Sequence, residues 1–250
     1  MVLRKSKDAN VMTIANPSNC SLPELCLPIG LHPSEIDKLN ALVSTKRRFK
    51  RGECLYRTGD KFDSLYAIRN GFFKTNLLSD DGREQVTGFY MAGEIMGMDG
   101  IDSEAYTCDA VALEDSEVCI IPFSKLEQLS REMQTFQHHF HQIMSREIVR
   151  EHSVIMLLGS MRAEERLAAF LINLSQRFLT RGYSPSEFNL RMTREEIGSY
   201  LGLKLETVSR IFSKFQKKGL ISTQQKHIAI KNIEGLKNAI GKEISAIKHL

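Results

Sequence analysis

The sequence predicts an α+β fold in which a β-roll, a long helix and a winged helix-turn-helix follow one another along the chain. Three observations support this prediction. Short runs rich in aromatic and β-branched residues, separated by glycines at spacings typical of all-β folds, occupy positions 45–125. Apolar residues then recur at helical spacing up to about Gly159. Two amphipathic segments separated by Gly202 follow Thr193.

The composition is that of an ordinary globular protein, with 42% hydrophobic and 26% charged residues. The length of 250 residues allows two domains with separate cores. No apolar run approaches the roughly 18 residues that span a bilayer, and the polar start lacks the apolar core of a secretory signal. We therefore expect a cytoplasmic protein without a membrane partner. In that reducing compartment the five cysteines indicate buried thiols, redox sites or metal ligands rather than disulfides.

Positive charge is concentrated near the C-terminus. From position 191 onward the chain contains twelve lysines and arginines but only five glutamates, although the whole chain carries a formal net charge of only +4. A basic C-terminal domain on a weakly acidic body is typical of a nucleic-acid binder. A solvated basic surface without a partner is the alternative.

The chain divides into four predicted segments. The first is an N-terminal arm, residues 1–30, which contains Cys20 and Cys26 and several prolines that discourage regular structure. The other three are the β-roll, the long dimerisation helix and the winged helix-turn-helix domain, which we assign to residues 31–130, 131–160 and 161–250.

The predicted long helix carries a stripe of side chains spaced three or four residues apart, so that one residue per turn lies on the same face. The stripe includes Phe140, Met144, Ile148, Glu151 and Ile155. Such a stripe favours pairing with the same helix of a second chain, whereas packing against the chain's own β-roll is the alternative. Because two copies of Glu151 would repel each other at neutral pH, the predicted homodimer is marginal.

The segment after Thr193 predicts a helix-turn-helix. Thr193 and Glu196 form a capping box that starts the first helix, and Gly202 stands where a sharp turn needs a positive φ angle. The expected buried faces of the two helices consist of Ile197, Tyr200 and Leu201, and of Leu205, Val208, Ile211, Phe212 and Phe215. The following run, with a turn at residues 224–226, predicts a two-stranded wing.

The outward face of the second helix holds Glu206, Ser209 and Arg210 near its N-terminus, where recognition helices enter the major groove of double-stranded DNA. Arg210 can donate two hydrogen bonds to a guanine, Glu206 can accept one from a cytosine amine, and Ser209 can contact several base edges. The lysines further along are suited to phosphates: Lys214, Lys217 and Lys218. A solvated triplet without a base partner is the alternative.

These residues, together with the motifs SLYAIRNG, DGREQVTGF, AEERLAAFLINLSQRF and MTREEIGSYLGLKLETVSR, make the chain resemble the fumarate and nitrate reduction regulator (FNR) branch of the cAMP receptor protein superfamily. The resemblance implies a sensing β-roll of the cyclic-nucleotide-binding jelly-roll type, dimerisation through the long helix, and binding of inverted repeats such as TTGAT-N4-ATCAA. The family's E-x-x-S-R signature falls on Glu206, Ser209 and Arg210. Lys204 replaces the usual threonine at the helix N-cap, where we expect a phosphate contact in place of a cap that contributes about 1 kcal/mol.

The resemblance also implies a [4Fe–4S] cluster held by three arm cysteines and one cysteine of the roll. The matching residues here are Cys20, Cys26 and Cys119, but the first position of the pattern is Pro17, which cannot ligate iron. Two alternatives stay open: a cluster with a fourth ligand from elsewhere, or a regulator without a stable cluster that is controlled by thiol oxidation or abundance. We expect Cys54 and Cys108 to be buried small apolar residues.

Three further expectations follow from the resemblance. Glu151 matches a carboxylate that opposes dimerisation until the cluster binds, so that oxygen reverses dimer formation. Gly82 and Glu84 belong to a hairpin that contacts RNA polymerase in relatives, with a plain exposed turn as the alternative. The stretch DGIDSEAYTCDAVA contains no arginine to hold a cyclic phosphate, so we expect no cAMP binding.

The sequence thus predicts an oxygen- or redox-responsive transcription regulator that activates some promoters and represses others. A β-roll enzyme with an accessory DNA-binding domain is the remote alternative. The chain contains no nucleophile–base pair, histidine-rich metal motif or glycine-rich phosphate loop, so we do not expect an enzyme.

Overall fold

The computed structural model describes residues 37–38, 45–79 and 82–241. Its N-terminal half is a β-roll of two four-stranded antiparallel sheets, ordered β1-β8-β3-β6 and β2-β7-β4-β5. The strands are β1 (Thr45–Phe49), β2 (Cys54–Tyr56), β3 (Ser64–Asn70), β4 (Phe72–Leu78), β5 (Glu84–Met91), β6 (Ile95–Met96), β7 (Asp109–Ala112) and β8 (Ser116–Pro122). Apolar side chains from both sheets share one core, in which the rings of Phe49 and Phe73 lie 6.0 Å apart.

The sharp connection between β3 and β4 depends on Gly71. Its φ angle of 99° lies in the left-handed region that favours glycine. A Cβ atom at this position would lie 2.0 Å from the hydroxyl oxygen of Ser116, so any side chain would collide with β8. The glycine therefore allows the chain to cross from one sheet of the roll to the other.

Two helices follow the roll. The first is α1 (Phe123–Glu132), and the long helix is α2 (Gln134–Ser160), separated from α1 by the extended backbone of Met133. The first turns of α2 pack into the roll core through Phe136, Phe140 and Ile143. The later turns run beside the roll, where Arg150 contacts Phe89 and Tyr90, while Ile148 and Ile155 are 55% and 66% exposed.

The C-terminal half consists of four helices and a three-stranded antiparallel sheet of order β10-β11-β9 within the described residues. The elements are α3 (Ala163–Leu179), β9 (Glu187–Asn189), α4 (Arg194–Leu201), α5 (Leu205–Lys217), β10 (Ile221–Gln224), β11 (His227–Ile230) and α6 (Ile233–Ala239). This half packs on the β4–β5 side of the roll, where the ring of Phe89 lies 6.0 Å from Phe170 and 5.1 Å from Tyr200. The predicted α+β class is confirmed.

Two expectations about side-chain faces differ from the structure. Phe140 is only 7% exposed and lies in the core of its own subunit, because the first turns of α2 pack directly into the roll core. It therefore does not lie on the exposed face expected of a partner contact. Leu205 is 45% exposed rather than buried, because it is the first residue of α5 and has no preceding helical turn to cover it. In the described part of the chain, no helix is long and apolar enough to cross a membrane.

Candidate nucleic-acid interface

The first helix of the interface, α4, begins at the expected capping box. The backbone N–H of Glu196 donates to the Thr193 hydroxyl at 3.1 Å, and the backbone N–H of Thr193 donates to the Glu196 carboxylate at 2.7 Å. Two polar groups left over by helix geometry are satisfied in this way. The start of α4 is thus determined by a local sequence signal.

Glycines at the end of α4 bring the two helices together. Gly202 has a φ angle of 63°, which ends α4 in the left-handed conformation. At Gly198 a Cβ atom would lie 2.5 Å from the carbonyl oxygen of Leu203, so the chain could not turn back so closely over a larger residue. Helices α4 and α5, called here the reading head, therefore meet at an angle set by two glycines.

Helix α5 has one buried face and one solvent face. Its buried residues are Val208, Ile211, Phe212 and Phe215. The guanidinium of Arg194 lies 3.4 Å from the ring centroid of Phe212, which further holds α5 against α4. Glu206, Ser209 and Arg210, the three residues predicted to contact bases, are all exposed on the opposite face. The helix therefore presents the predicted signature outward on a rigid support.

The predicted phosphate-contacting lysines differ in their surroundings. Lys204 is exposed at the N-cap of α5 and makes no side-chain cap hydrogen bond, as expected from the missing threonine. Lys217 and Lys218 are exposed at the far end of α5. Lys214, by contrast, forms an ion pair with Glu164 of α3. Its charge is therefore partly neutralised within the subunit, and it is the least available of the four.

The predicted wing is present as β10 and β11. The two strands pair antiparallel from Ile221 opposite Ile230 to Gln224 opposite His227. Gln225 occupies the turn with a φ angle of 55°, and Lys226 is exposed beside it. The wing tip thus carries an exposed positive charge.

The exposed part of the stripe on α2 consists of Ile148, Glu151 and Ile155, with the partly buried Met144 at its edge. We call these four residues the seam. The pKa of Glu151 is raised above its usual value, because burial and the charge of Glu147 raise it by more than the charge of Arg150 lowers it. The seam also borders a cavity of about 570 Å³ between α2 and the roll, whose ionisable lining includes Asp99 and Glu147.

The cysteine positions divide between described and undescribed residues. Cys20, Cys26 and Pro17 lie outside the described residues. Cys119 is 0% exposed in β8, opposite Lys46 of the edge strand β1 and Ala67 of β3. Within the ranges 45–79 and 82–241, no group of three or more histidine, cysteine, aspartate or glutamate side chains is suited to hold a metal ion.

Of the two remaining cysteines, both expected to be buried, Cys108 is buried and Cys54 is only partly so. Cys108 is buried, and its thiol lies 3.5 Å from the Asp99 carboxylate. Burial and the nearby Asp99 charge raise the pKa of the Cys108 thiol to about 12, which makes it a poor nucleophile and metal ligand. Cys54 is half-buried in β2.

The β4–β5 hairpin lies against the reading head. Gly82 has a φ angle of 80°, and the Glu84 carboxylate pairs with Lys74 at 2.6 Å. Lys74 also contacts Glu196 of α4 at 3.2 Å. The sequence predicted a polymerase contact, or alternatively a plain exposed turn, for this hairpin, and no local pattern indicated its attachment to α4.

A buried ionic group between the roll and α3 was also missed. Glu94 accepts from Arg177 at 2.6 Å and from Arg181 at 2.7 Å. Although burial by itself would raise the pKa of Glu94, the charges of Arg177, Arg150 and Arg181 lower it to about 2. The motif NLSQRF contains Arg177, but no local pattern pairs it with a glutamate 83 positions away.

Comparisons with known proteins agree with this architecture. Residues 46–133 match the cyclic nucleotide-binding domain family, and residues 165–239 match the Crp-like helix-turn-helix domain family. The structure of FixK2 from Bradyrhizobium japonicum is similar to this chain with a TM-score of 0.74 and 27% identity, over 79% of this chain and 98% of that one.

Similar sequences carry consistent names. The chain is 47% identical to the transcriptional regulatory protein btr of Bordetella pertussis, over 92% of this chain and 95% of that protein. It is 45% identical to the transcriptional activator protein anr of Pseudomonas aeruginosa, over 86% of this chain and 88% of that protein. It is 44% identical to the fumarate and nitrate reduction regulatory protein of Escherichia coli, over 89% of each. The named relatives are regulators, in agreement with the expectation that the chain is not an enzyme, and the chain belongs to the FNR branch of the CRP/FNR family of DNA-binding transcription regulators.

Proposed function

We propose that this regulator binds inverted repeats of the TTGAT-N4-ATCAA type as a homodimer and contacts bases through Glu206, Ser209 and Arg210. The main support for this proposal is the outward face of α5, on which all three side chains are exposed while the opposite face is buried in the domain core. Neither Glu206 nor Arg210 takes part in an ion pair among the described residues. Both charged groups are therefore available for base edges in the major groove.

The proposed dimer forms through the seam on α2. Ile148 and Ile155 expose apolar surface on α2, and burial of that surface stabilises association. Glu151 lies between them and opposes association while it is charged. A small differential free energy of a few kcal/mol is enough to move such a marginal equilibrium between monomer and dimer.

The direct test is operator binding by the purified chain, measured by fluorescence anisotropy on a TTGAT inverted repeat and on a duplex in which both half-sites are scrambled. We expect a clear preference for the repeat and a dimer in the bound state. Equal affinity for the two duplexes would contradict the proposed base contacts.

For the sensor we propose a [4Fe–4S] cluster with Cys20, Cys26 and Cys119 among its ligands and an oxygen-responsive activity. Cysteine thiolates are suitable ligands for iron, and an exposed cluster responds to oxygen because oxygen destroys it. Cys119 lies in β8 opposite Lys46 of β1, the first described strand, and its side chain is 0% exposed in the roll core, so ligation requires that the thiol be uncovered. The rival proposal is a cluster-free regulator controlled by thiol oxidation or abundance.

Iron and acid-labile sulfide measured on protein purified without oxygen separate the two proposals. The cluster proposal expects near four irons per chain and a visible absorption band that bleaches in air. Cys119→Ser should lose that iron, whereas the matched variant Cys54→Ser should keep it. Iron-free protein that still binds the operator would support the thiol- or abundance-controlled alternative.

Two further elements complete the proposal. The tip of the β4–β5 hairpin, with Gly82 and the 45% exposed side chain of Glu84, forms a contact for RNA polymerase. The cavity between α2 and the roll does not take up cAMP, because Asp99, Glu147 and Glu151 would repel a cyclic phosphate there. The first statement is tested by the amount of RNA that RNA polymerase synthesises in vitro from a promoter with the operator, in the presence of the wild-type regulator or of its Glu84→Lys variant.

A further inference from the structure

Two arginines from different parts of the molecule share one backbone acceptor. Arg150 of the long helix donates from Nη2 to the carbonyl oxygen of Phe89 at 2.7 Å. Arg177 of α3 donates from its own Nη2 to the same oxygen, also at 2.7 Å. The Phe89 carbonyl in β5 thus joins the helix that carries the seam to the first helix of the DNA-binding domain.

Both guanidinium groups are held in place by further contacts. Arg150 lies 4.6 Å from the ring centroid of Tyr90 and 3.3 Å from the Glu147 carboxylate, which also accepts from the Tyr90 hydroxyl at 3.1 Å. Arg177 forms its ion pair with Glu94. Two neighbouring cations at one oxygen repel each other, and the two glutamates offset that repulsion. The side chains of Arg150 and Arg177 are 16% and 14% exposed, so these charged hydrogen bonds are shielded from solvent.

Helix α3 contacts both the end of α2 and the reading head, so that its position affects that of α4. Arg166 of α3 donates to the carbonyl oxygen of Leu158, at the end of α2, at 2.6 Å and to that of Leu201, the last residue of α4, at 3.0 Å. Phe170 packs against Tyr200 of α4 with ring centroids 5.9 Å apart. A displacement of α3 relative to α2 would therefore move α4 and, with it, the recognition helix α5.

We propose that Arg150 is a positioning residue for DNA binding: through the shared Phe89 carbonyl it sets the orientation of the reading head relative to the long helix. The inference rests on the proposed homodimer, in which the distance between two reading heads determines the half-site spacing that fits. Arg150 directly precedes Glu151 of the seam, so the residue that orients the DNA-binding domain is attached to the surface where the subunits meet. Arg150 does not contact DNA; it acts through α3.

The test compares the full-length variants Arg150→Gln and Arg150→Lys with Arg146→Gln, a control one turn earlier on the exposed side of α2. Affinity is measured on the inverted repeat with a four-base spacer, on repeats with three-base and five-base spacers, and on a duplex with one half-site. Melting temperature and sedimentation report folding and dimerisation.

We expect Arg150→Gln to lose about tenfold in affinity for the four-base spacer, a coupling of ordinary size for an interaction between sites, with little change on the single half-site. Its preference among spacers should weaken, Arg150→Lys should recover part of the preference, and Arg146→Gln should resemble the wild type. Wild-type spacer preference in Arg150→Gln would overturn the inference. An equal loss of affinity on every duplex, together with a lower melting temperature of the protein, would also overturn it, since that result indicates a structural role. A wild-type protein without preference for any repeat would overturn the proposed function as well.

Discussion

Ser199 of helix α4 and Glu84 of the β4–β5 hairpin are joined by a hydrogen bond in which the Ser199 hydroxyl donates to the Glu84 carbonyl oxygen at 3.1 Å. The same hydroxyl accepts from the backbone N–H of Val86 at 2.8 Å. The side chain of Gln85 donates to the Ser199 carbonyl oxygen. The proposed polymerase-contacting hairpin and the reading head are therefore one connected unit.

Removal of the Ser199 hydroxyl should loosen this unit. Ser199→Ala leaves the Val86 N–H and the Glu84 carbonyl without their partner, which costs about 1–3 kcal/mol when such groups are buried and less when water replaces the hydroxyl. We expect faster hydrogen exchange at the Val86 amide and a lower melting temperature. Ser160→Ala, which removes only a local bond to the Met156 carbonyl, is the control. Unchanged exchange at Val86 would show that the hairpin does not depend on Ser199.

Arg210 and Lys217 should affect DNA binding in different ways. Arg210→Ala is expected to lose about 1–3 kcal/mol of binding free energy on the TTGAT repeat and to relax discrimination at one guanine. Lys217→Ala should weaken binding to all sequences similarly and reduce the slope of log affinity against log salt by about 1. Anisotropy titrations at several salt concentrations measure both effects. A uniform loss on all sequences in Arg210→Ala would assign that residue to phosphate instead.

Dimerisation should strengthen as the pH falls toward the raised pKa of Glu151. Approach of a second carboxylate in the dimer raises this pKa further, so association takes up protons and is favoured at lower pH. Glu147, Arg150 and His152 on α2 and Asp99 and Tyr90 of the roll line the same region. Sedimentation of wild type and Glu151→Gln across pH 5–8 tests this expectation. The variant keeps His152, so only the part of the pH dependence that disappears in Glu151→Gln belongs to Glu151.

Glu94 should stabilise the fold in a pH-dependent way. Its pKa is lowered from 4.5 to about 2, so its contribution is fully present above pH 4.5 and is lost as the pH falls toward 2. Glu94→Gln leaves Arg177 and Arg181 without their carboxylate, and breaking a buried ion pair in this way costs about 3–5 kcal/mol at neutral pH.

Urea unfolding at several pH values checks this expectation, with the exposed Glu127→Gln as control. The difference in unfolding free energy between wild type and Glu94→Gln should shrink as the pH decreases from 4.5. A difference that stays constant over that range would mean that the charge of Glu94 is not what stabilises the fold.

Local signals in the sequence determined much of the DNA-binding surface. The capping box at Thr193, the turn at Gly202 and the outward face of α5 each depend on residues within one or two helical turns, and spacing along the chain specifies such features directly. The order of roll, long helix and winged helix-turn-helix followed from changes in hydrophobic period. Leu205 shows the limit of this reasoning, since a helical period marks a face but not where burial begins.

Contacts between distant parts of the chain were decided only by the tertiary structure. The period of α2 placed Phe140 on the same stripe as Ile148, yet the roll buries the first and leaves the second exposed. Phe89 and Arg150 are 61 positions apart, and Glu94 and Arg177 are 83 positions apart. Periodicity specifies which side of a helix is apolar or charged, whereas the partner of that side depends on how whole elements pack. The sequence by itself therefore determined the surface that meets DNA, and the packing of α2 and α3 on β5 decided how that surface is held.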